Sequence, residues 1–206
     1  LLFAVFAIGS IVIALIIAVP MIALREPIAA WLFDDGGQEE IVVLLALAVD
    51  VTDRTALAPA VDAVVRALGD VDILVNNAGI ANISGGVLQE APDDWDRVIE
   101  TQLNSVFLLS RLVAKGMAER KRGKIINIGS MYSTFGSALA PSYAAAKGAI
   151  VQLTKSMAVE LAPYNVQVNA IAPGYFATEM NRALLDNAEF DAWVKRRTPA
   201  GRWGQP

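Results

Sequence analysis

Three consecutive stretches decide the fold: GKIINIGS at residues 123–130, SYAAAKGAIVQLTKSMAVELAPY at 142–164 and VQVNAIAPG at 166–174. The first and the third are short, apolar and rich in β-branched residues, which favours strands. The stretch between them is long enough for a helix, and Ile150 and Met157 belong to an apolar stripe at helical spacing. A strand, a helix and a second strand in this order predict a βαβ unit with parallel strands.

The same alternation continues towards the N-terminus. TALAPAVDAVVRAL at residues 55–68 predicts a helix, VDILVNNAG at 71–79 a short buried strand, and the stretch 93–121 a long helix. No internal repeat, low-complexity tract or linker interrupts this order. The sequence therefore predicts one α/β domain over residues 1–206, built on a doubly wound, Rossmann-like parallel sheet.

Composition limits the chemistry. The 206 residues include no Cys and no His, which leaves no thiol nucleophile, disulfide, zinc finger or imidazole base. The formal charge is −4 and no basic block occurs, which argues against nucleic acid as the main partner. Any catalyst must use Ser, Tyr, Lys, Asn or a carboxylate, and no metal site is expected.

Small and polar residues follow four of the predicted strands: Asp50, Asn76–Gly79, Ser130 and Pro173–Gly174. Each of them alone is equally well explained as a helix cap or a turn. In a parallel α/β sheet, however, ligands bind beyond the carboxyl ends of the strands. Because all four positions fall at that one edge, the sequence favours a ligand site there.

Tyr143 and Lys147 carry the sharpest chemical signal. They are spaced i,i+4, so on a helix they lie on one face about a turn apart. An ammonium beside a phenol favours the phenolate and is expected to lower the pKa of Tyr143 from about 10. Tyr143 could then serve as a general acid or base without histidine. For an isolated YxxxK, a surface tyrosine followed by a solvated lysine is the alternative.

The combination NNAG, Asn104, Ser130, YxxxK thirteen residues later and then PG resembles the short-chain dehydrogenase/reductase family from about residue 47 to 206. The resemblance implies that Tyr143 exchanges a proton with the substrate and that Ser130 hydrogen-bonds the reacting oxygen. It further implies that Lys147 binds the nicotinamide ribose and depresses the pKa of Tyr143. Asn104 would hold a water that links Lys147 to solvent. The implied reaction is hydride transfer between a secondary alcohol and NAD, with NADP possible.

The resemblance also assigns cofactor contacts. Asp50 and Val51 match positions beside the adenine, and Asn77, Ala78 and Gly79 match the strand end along the adenosine ribose. Tyr143 and Lys147 count among the cofactor-binding residues as well. On the nicotinamide side the matching positions are Pro173, Gly174, Phe176 and Thr178.

Residues 1–24 are uncharged and long enough to span a bilayer, yet the fold needs a central first strand there. The predicted structure is a buried strand followed by a helix, with Gly9 as the first glycine of the family's TGxxxGxG turn. Ile13 and Leu15 stand where its other glycines belong and would obstruct the pyrophosphate. Three interpretations stay open: a membrane helix, a degenerate cofactor turn, or misrecorded residues over an ordinary turn.

The next predicted strand, REPIAAWLFDD at residues 25–35, ends in Asp34 and Asp35. Either carboxylate could bond a ribose 2′-hydroxyl and repel a 2′-phosphate, which favours NAD over NADP; a simple turn acid is the alternative. Only about fifteen residues separate Asp35 from Asp50. Residues 1–46 are therefore an anomalous first βαβ region, and the family pattern continues beyond residue 206 through a helix and a strand.

The sequence of residues 173–206 is similar to the corresponding region of sugar-acid and polyol members of the family, such as the gluconate 5-dehydrogenases. Residues 175–206 are expected to close over the substrate as a lid. The alternatives are a 3-oxoacyl-carrier-protein reductase and a cofactor-poor relative without catalysis. The resemblance implies a cytoplasmic homo-oligomer, a dimer or a tetramer, that acts on a small alcohol or ketone and not at a membrane.

Overall fold

The computed structural model describes residues 7–8, 11–12, 49–80, 82–178 and 181–205. At the N-terminal end, strands β1 (Ala7–Ile8) and β2 (Ile11–Val12) pair antiparallel. The sequence predicts that Ile11 and Val12 lie in the cofactor turn that follows a central strand of the parallel sheet. That prediction is wrong for these residues, because they form a strand that pairs with β1 in a separate two-stranded sheet. The rest of that prediction lies outside the described residues.

The larger sheet contains strands β3 (Ile73–Asn76), β4 (Gly123–Ile128) and β5 (Val166–Ile171). They are parallel and lie in the order β3-β4-β5, with Ile73 opposite Lys124 and Gly123 opposite Val166. These are the strands that the apolar runs predict, and their common direction brings Asn76, Ile128 and Ile171 to one edge.

Six α-helices precede, connect or follow these strands in the described part: α1 (Arg54–Leu68), α2 (Pro92–Ile99), α3 (Ser105–Arg120), α4 (Pro141–Leu161), α5 (Arg182–Leu185) and α6 (Ala188–Arg197). A π-helical turn, Glu100–Asn104, joins α2 to α3. Helix starts follow the sequence: Asp53 caps α1 by accepting a hydrogen bond from Thr55 N, and α2 and α4 begin with proline.

The core lies between the three-stranded sheet and helices α1, α3 and α4. Helix α3 contacts both α1 and α4, and one cluster of buried side chains joins all of them to the strands. Side chains of β4 are alternately buried and half-buried, so these helices cover one face of the sheet. The predicted stripe on α4 is confirmed, since Ile150 is 1% and Met157 8% exposed. Among the described residues, no helix combines the length and the apolar character needed to cross a membrane.

Candidate functional site

Ser130 follows β4 directly and caps a single 3-10 turn, Met131–Ser133. Its hydroxyl accepts a hydrogen bond of 3.2 Å from Tyr132 N, and the Ser133 hydroxyl accepts one of 3.1 Å from Ser130 N. The Ser133 hydroxyl also donates to the backbone carbonyl of Lys147 at 2.7 Å. This reciprocal cap holds Ser130 at the carboxyl end of β4 and fixes the turn against helix α4.

Tyr143 and Lys147 lie in the first two turns of α4, on the face that meets this turn. Lys147 is only 6% exposed, and its Nζ donates a hydrogen bond of 2.7 Å to the carbonyl oxygen of Ile128. Nζ lies 5.7 Å from the centroid of the Tyr143 ring. Burial lowers the pKa of Lys147 to about 8, because the charged form loses its hydration.

The pKa of Tyr143 differs from the prediction. Burial raises it above its usual value, a hydrogen bond with Ser130 lowers it and the nearby Tyr132 raises it further. The predicted lowering by Lys147 is wrong in this structure, because the Lys147 ammonium donates to Ile128 and is itself desolvated. The predicted proximity of Ser130, Tyr143 and Lys147 is nevertheless present, since Ser130 lowers the pKa of the phenol and Lys147 Nζ lies 5.7 Å from its ring centroid.

A second tyrosine pair, which the sequence analysis missed, adjoins Tyr143. The ring of Tyr132 packs edge-on against that of Tyr143 with 6.3 Å between centroids. The hydroxyl oxygens of Tyr132 and Tyr175 are 2.7 Å apart, and burial raises the pKa of Tyr175. Tyr132 was detectable as the second residue after Ser130, but nothing in the sequence pairs it with a residue 43 positions away.

Asn104 ends the π-helical turn between α2 and α3, a feature that the sequence analysis also missed. Its Nδ2 donates to Glu100 Oε2 at 2.5 Å, and Glu100 in turn pairs with Arg54 at 2.5 Å. The bond from Arg54 holds the pKa of Glu100 below its usual range. Single π turns inside helices are frequent at functional sites, and the extra residue displaces the helix register at Asn104.

The predicted adenosine side begins at Asp50 and Val51. Asp50 is exposed, and its Oδ1 accepts hydrogen bonds from Thr52 N at 2.9 Å and Thr52 Oγ1 at 2.7 Å. The side chain of Val51 is fully buried in the core, which leaves only its backbone to meet a ligand. The structure thus gives Asp50 a local turn role and Val51 a core role.

The end of β3 continues into Asn77, Ala78 and Gly79. Asn77 is exposed, whereas Ala78 and Gly79 are half-buried. A Cβ on Gly79 would lie 3.3 Å from Gln102 Oε1, so the glycine allows the π turn to approach the strand end. That Oε1 atom is buried without a hydrogen-bond partner in the described part of the chain.

Pro173 and Gly174 follow β5, where the Pro173 carbonyl accepts a 3.0 Å hydrogen bond from Met131 N. The Ser130 turn is therefore tied to the strand end on its other side as well. Phe176 forms a β-bridge with Gly204, and its ring occupies the space of a Cβ on that glycine. Thr178 is exposed and donates its N–H to the Phe176 carbonyl. Gly9, Asp34 and Asp35 lie outside the described residues.

Below these strand ends lies a buried polar network, which the sequence analysis did not anticipate. Asn76 Nδ2 donates to Asn127 Oδ1 at 2.8 Å and to Ser110 Oγ at 3.0 Å. Asn127 Nδ2 donates to Thr154 Oγ1 at 2.9 Å. The network joins β3, β4, α3 and α4 just beneath the site, and the polar Asn127 inside an apolar strand was its available signal.

The described residues suit the nicotinamide-ribose end of a dinucleotide. Lys147 forms one hydrogen bond within the described chain, to Ile128, so two N–H groups of its ammonium are available to ribose hydroxyls. The Tyr143 hydroxyl lies on the same face, at the carboxyl edge where α/β sheets bind nucleotides. In the described ranges, no group of three or more acidic side chains is placed to hold a metal ion.

An open cleft of about 410 Å³ adjoins this site. It begins at Met131, next to Ser130, and includes Phe135, Tyr175 and Phe176. Its outer wall comes from residues 197–204, in the predicted lid. We call residues 175–178 and 181–205 the C-terminal segment.

Comparisons with known proteins agree with this arrangement. The sequence model of the short chain dehydrogenase family matches residues 26–189. The 5-keto-D-gluconate 5-reductase of Escherichia coli (strain K12) is 46% identical over 169 residues, which are 82% of this chain and 66% of that protein. A 3-oxoacyl-(acyl-carrier-protein) reductase of Vibrio cholerae is 41% identical over 160 residues, 78% of this chain and 64% of the relative.

Among solved structures, the gluconate 5-dehydrogenase of Burkholderia cenocepacia J2315, in complex with NADP and tartrate, superposes with a TM-score of 0.73. It is 45% identical to this chain, and the match covers 76% of this chain and 61% of the other. The chain thus spans a little under two thirds of the length of these relatives. The Rossmann-like parallel fold predicted from the sequence is confirmed.

Proposed function

The chain belongs to the short-chain dehydrogenase family, and we propose that it is a nicotinamide-dependent oxidoreductase that interconverts a secondary alcohol and a ketone of a sugar acid. The observation that supports the activity is the cluster of Ser130, Tyr143 and Lys147 at the carboxyl edge of the parallel sheet. A hydroxyl, a phenol and an ammonium in this order can move a proton to or from a substrate oxygen.

In the direction of ketone reduction, the Tyr143 hydroxyl donates its proton to the carbonyl oxygen as that oxygen becomes a hydroxyl. The Ser130 hydroxyl hydrogen-bonds the same oxygen and orients the carbonyl towards Tyr143. When bound, the nicotinamide dinucleotide supplies the hydride, or accepts it in the reverse direction. The raised pKa of Tyr143 keeps the phenol protonated, as proton donation requires.

Lys147 restores the proton of Tyr143. Its pKa of about 8 lies near neutral pH, so it exchanges protons readily under ordinary conditions. Asn104 would hold a water between Lys147 and solvent, and its amide is already positioned by Glu100. Of the three N–H groups of Lys147, one donates to Ile128 and one would face Tyr143, so the third would bind the nicotinamide ribose.

A sugar-acid substrate is supported by the relatives that act on keto-gluconate or gluconate by name, and by the one bound to tartrate. The cleft beside Ser130 carries two arginines, Arg197 and Arg202, which suit an anionic substrate. A 3-oxoacyl-carrier-protein reductase is the second candidate, with a relative of lower identity. A cofactor-poor relative without catalysis is the third candidate. It is suggested by Ile13 and Leu15 at the glycine positions of the cofactor turn, and both lie outside the described residues.

NAD is the proposed cofactor, with NADP possible. Asp34 and Asp35 carry the preference for NAD, while one related protein binds NADP. Residues 1–206 would form one catalytic domain in which 175–206 close over the substrate. A cytoplasmic dimer or tetramer that acts on a small alcohol or ketone is proposed from the family resemblance.

The test is absorbance-monitored turnover with NAD and NADP on D-gluconate, 5-keto-D-gluconate and a 3-oxoacyl thioester. We expect turnover of the sugar acids and little of the thioester. If the thioester reacts faster than the sugar acids, the result favours the second candidate, a 3-oxoacyl-carrier-protein reductase. Calorimetric titration with NAD and with NADP completes the test. If neither cofactor binds detectably to a chain confirmed to carry Ile13 and Leu15, the result favours the cofactor-poor relative.

A further inference from the structure

Arg197 occupies a special position in the cleft beside the Ser130 turn. It is the last residue of α6 and lines the outer wall, whereas Met131 and Phe135 line the cleft from the Ser130 turn and the residues just after it. Its guanidinium carbon lies 5.6 Å from the centroid of the Phe135 ring and 5.2 Å from that of Trp193. Contacts with two aromatic rings hold the guanidinium in place without using its N–H groups.

The charge of Arg197 is not neutralised by an acid in the described part of the chain. Arg54, Arg97, Arg120 and Arg122 all form ion pairs with carboxylates, whereas Arg197 forms none with a described residue. Helix α6 carries two acids, both in its first turn, whereas Arg197 is its last residue. Asp191 is bound by Lys195 at 2.7 Å and by Trp203 Nε1 at 2.9 Å, and Glu189 forms no ion pair with Arg197. The five guanidinium donors of Arg197 are therefore available to a ligand in the cleft.

A line of contacts connects Arg197 to the reacting groups. Arg197 and Tyr175 both line the cleft, and both contact the ring of Trp193, at 5.2 Å and 6.0 Å from its centroid. The positive charge of Arg197 lowers the pKa of Tyr175 against the larger effect of burial. Tyr175 meets Tyr132 hydroxyl to hydroxyl at 2.7 Å, and Tyr132 packs on Tyr143. The cleft thus carries a cation on its outer wall, and Tyr175 on its other wall is linked through Tyr132 to the proton donor Tyr143.

We propose that Arg197 binds the carboxylate of the substrate while the reacting carbon lies at Ser130 and Tyr143. The inference rests on the proposed function, since it identifies which part of a sugar acid the cleft selects. A planar guanidinium binds a carboxylate through two parallel hydrogen bonds, which fixes orientation as well as position. Arg197 would therefore determine both the preference for acids and which hydroxyl carbon faces Tyr143.

The test compares D-gluconate with sorbitol, which replaces the carboxylate by a neutral hydroxymethyl group. Arg197→Met keeps an unbranched apolar stem against Phe135 and Trp193 but removes the charge. We expect kcat/KM for gluconate to fall about 100-fold, mainly through KM, and kcat/KM for sorbitol to change less than about threefold. Arg197→Lys should recover part of the loss, since a cation without the planar fork remains.

Arg196→Met is the matched control, because Arg196 is an exposed neighbour on the same helix and does not line the cleft. This variant should leave kcat/KM for gluconate and for sorbitol unchanged. Equal losses with gluconate and sorbitol in Arg197→Met would show a general packing role and overturn the inference. An unchanged gluconate reaction in that variant would overturn it as well.

Calorimetric titration of gluconate separates this inference from the proposed function. We expect the Arg197→Met chain to bind gluconate at least tenfold more weakly than the wild type, and Arg196→Met to bind it normally. One outcome is that the wild type binds gluconate without turning over any alcohol, while Arg197→Met, unlike Arg196→Met, loses that binding. In that case the proposed function fails and the carboxylate site stands. If gluconate binding is absent or independent of Arg197, the carboxylate site is refuted whatever the turnover.

Discussion

The catalytic region, residues 130–147, and the C-terminal segment hold their side chains by different means. In the catalytic region Ser130 and Lys147 are buried, and hydrogen bonds to the backbone fix the side chains, as those from Ser133 to Lys147 and from Lys147 to Ile128 do. In the C-terminal segment four aromatic rings pack on one another at centroid distances of 5.3 to 6.5 Å: Tyr175, Phe190, Trp193 and Trp203. The arginine that this cluster supports is exposed.

This difference suits two tasks. Hydrogen bonds to the backbone fix distance and angle, which proton transfer requires. Contacts between rings bury a large apolar area and support the wall of the cleft, but they fix no hydrogen-bond distance to the reacting groups. Changes in the catalytic region should therefore reduce kcat, whereas changes in the C-terminal segment should act on KM and on the choice of substrate.

The largest expected effect is that of Tyr143→Phe. Only the phenolic oxygen is removed, so kcat should fall about 1,000-fold because proton transfer contributes roughly 100- to 10,000-fold in such sites. Steady-state kinetics measure the loss, and circular dichroism should show an unchanged fold. Tyr164→Phe, at an exposed tyrosine of the 3-10 turn Ala162–Tyr164, is the control. A Tyr143→Phe rate near that of the wild type would show that another group transfers the proton.

The second prediction concerns the pH dependence of stability. Lys147 loses its proton at about pH 8 in the folded chain but near 10.5 in the unfolded chain, so unfolding takes up a proton between these values. Raising the pH through this window therefore favours the folded state. Compared with Lys147→Met, the wild type should gain on the order of 3 kcal/mol of unfolding free energy between pH 7 and 10.5.

Urea unfolding of the wild type and Lys147→Met at several pH values measures this gain. Lys155→Met on the same helix, at an exposed lysine, is the matched control and should show a flat difference from the wild type. A flat difference for Lys147→Met as well would show that Lys147 titrates normally and is not desolvated.

The third prediction separates the two regions directly. Trp203 is 4% exposed and joins the ring cluster to Asp191, so Trp203→Ala should loosen the C-terminal segment. We expect KM for gluconate to rise about tenfold while kcat changes little. Hydrogen exchange should accelerate in α6 and remain slow in β4. Faster exchange in β4 would mean that the two regions unfold together and that the contrast between them is wrong.

The smallest expected effect tests the link between the regions. Tyr132→Phe, Tyr175→Phe and the double variant form a cycle around the 2.7 Å contact between the two hydroxyls. Their coupling energy in kcat/KM should be about 1 kcal/mol, the usual net value of one hydrogen bond. If the effects of the two single variants add up to that of the double variant, the contact does not couple the catalytic region to the C-terminal segment.

Much of the catalytic region could be predicted from the sequence. The strands and helices around Ser130 and Tyr143 are confirmed, because apolar periodicity and the i,i+4 spacing of Tyr143 and Lys147 are local properties of the chain. The direction of the Tyr143 pKa was predicted wrongly, since it depends on burial and on where the Lys147 ammonium points. The role of Arg197 was missed, since nothing in its local sequence distinguishes it from Arg196.

By itself, the sequence determined the α/β order, the family and the residue types at the strand ends, all of which follow from neighbours along the chain. Tertiary structure alone decided which of those residues are buried and which are in contact with one another. It brings Phe135 to Arg197 and Tyr132 to Tyr175, pairs that lie far apart in the sequence. It also buries Lys147 and leaves Arg197 exposed in a cleft. The physical reason is that desolvation and contact depend on which faces of separate elements pack together, and spacing along one element cannot specify that.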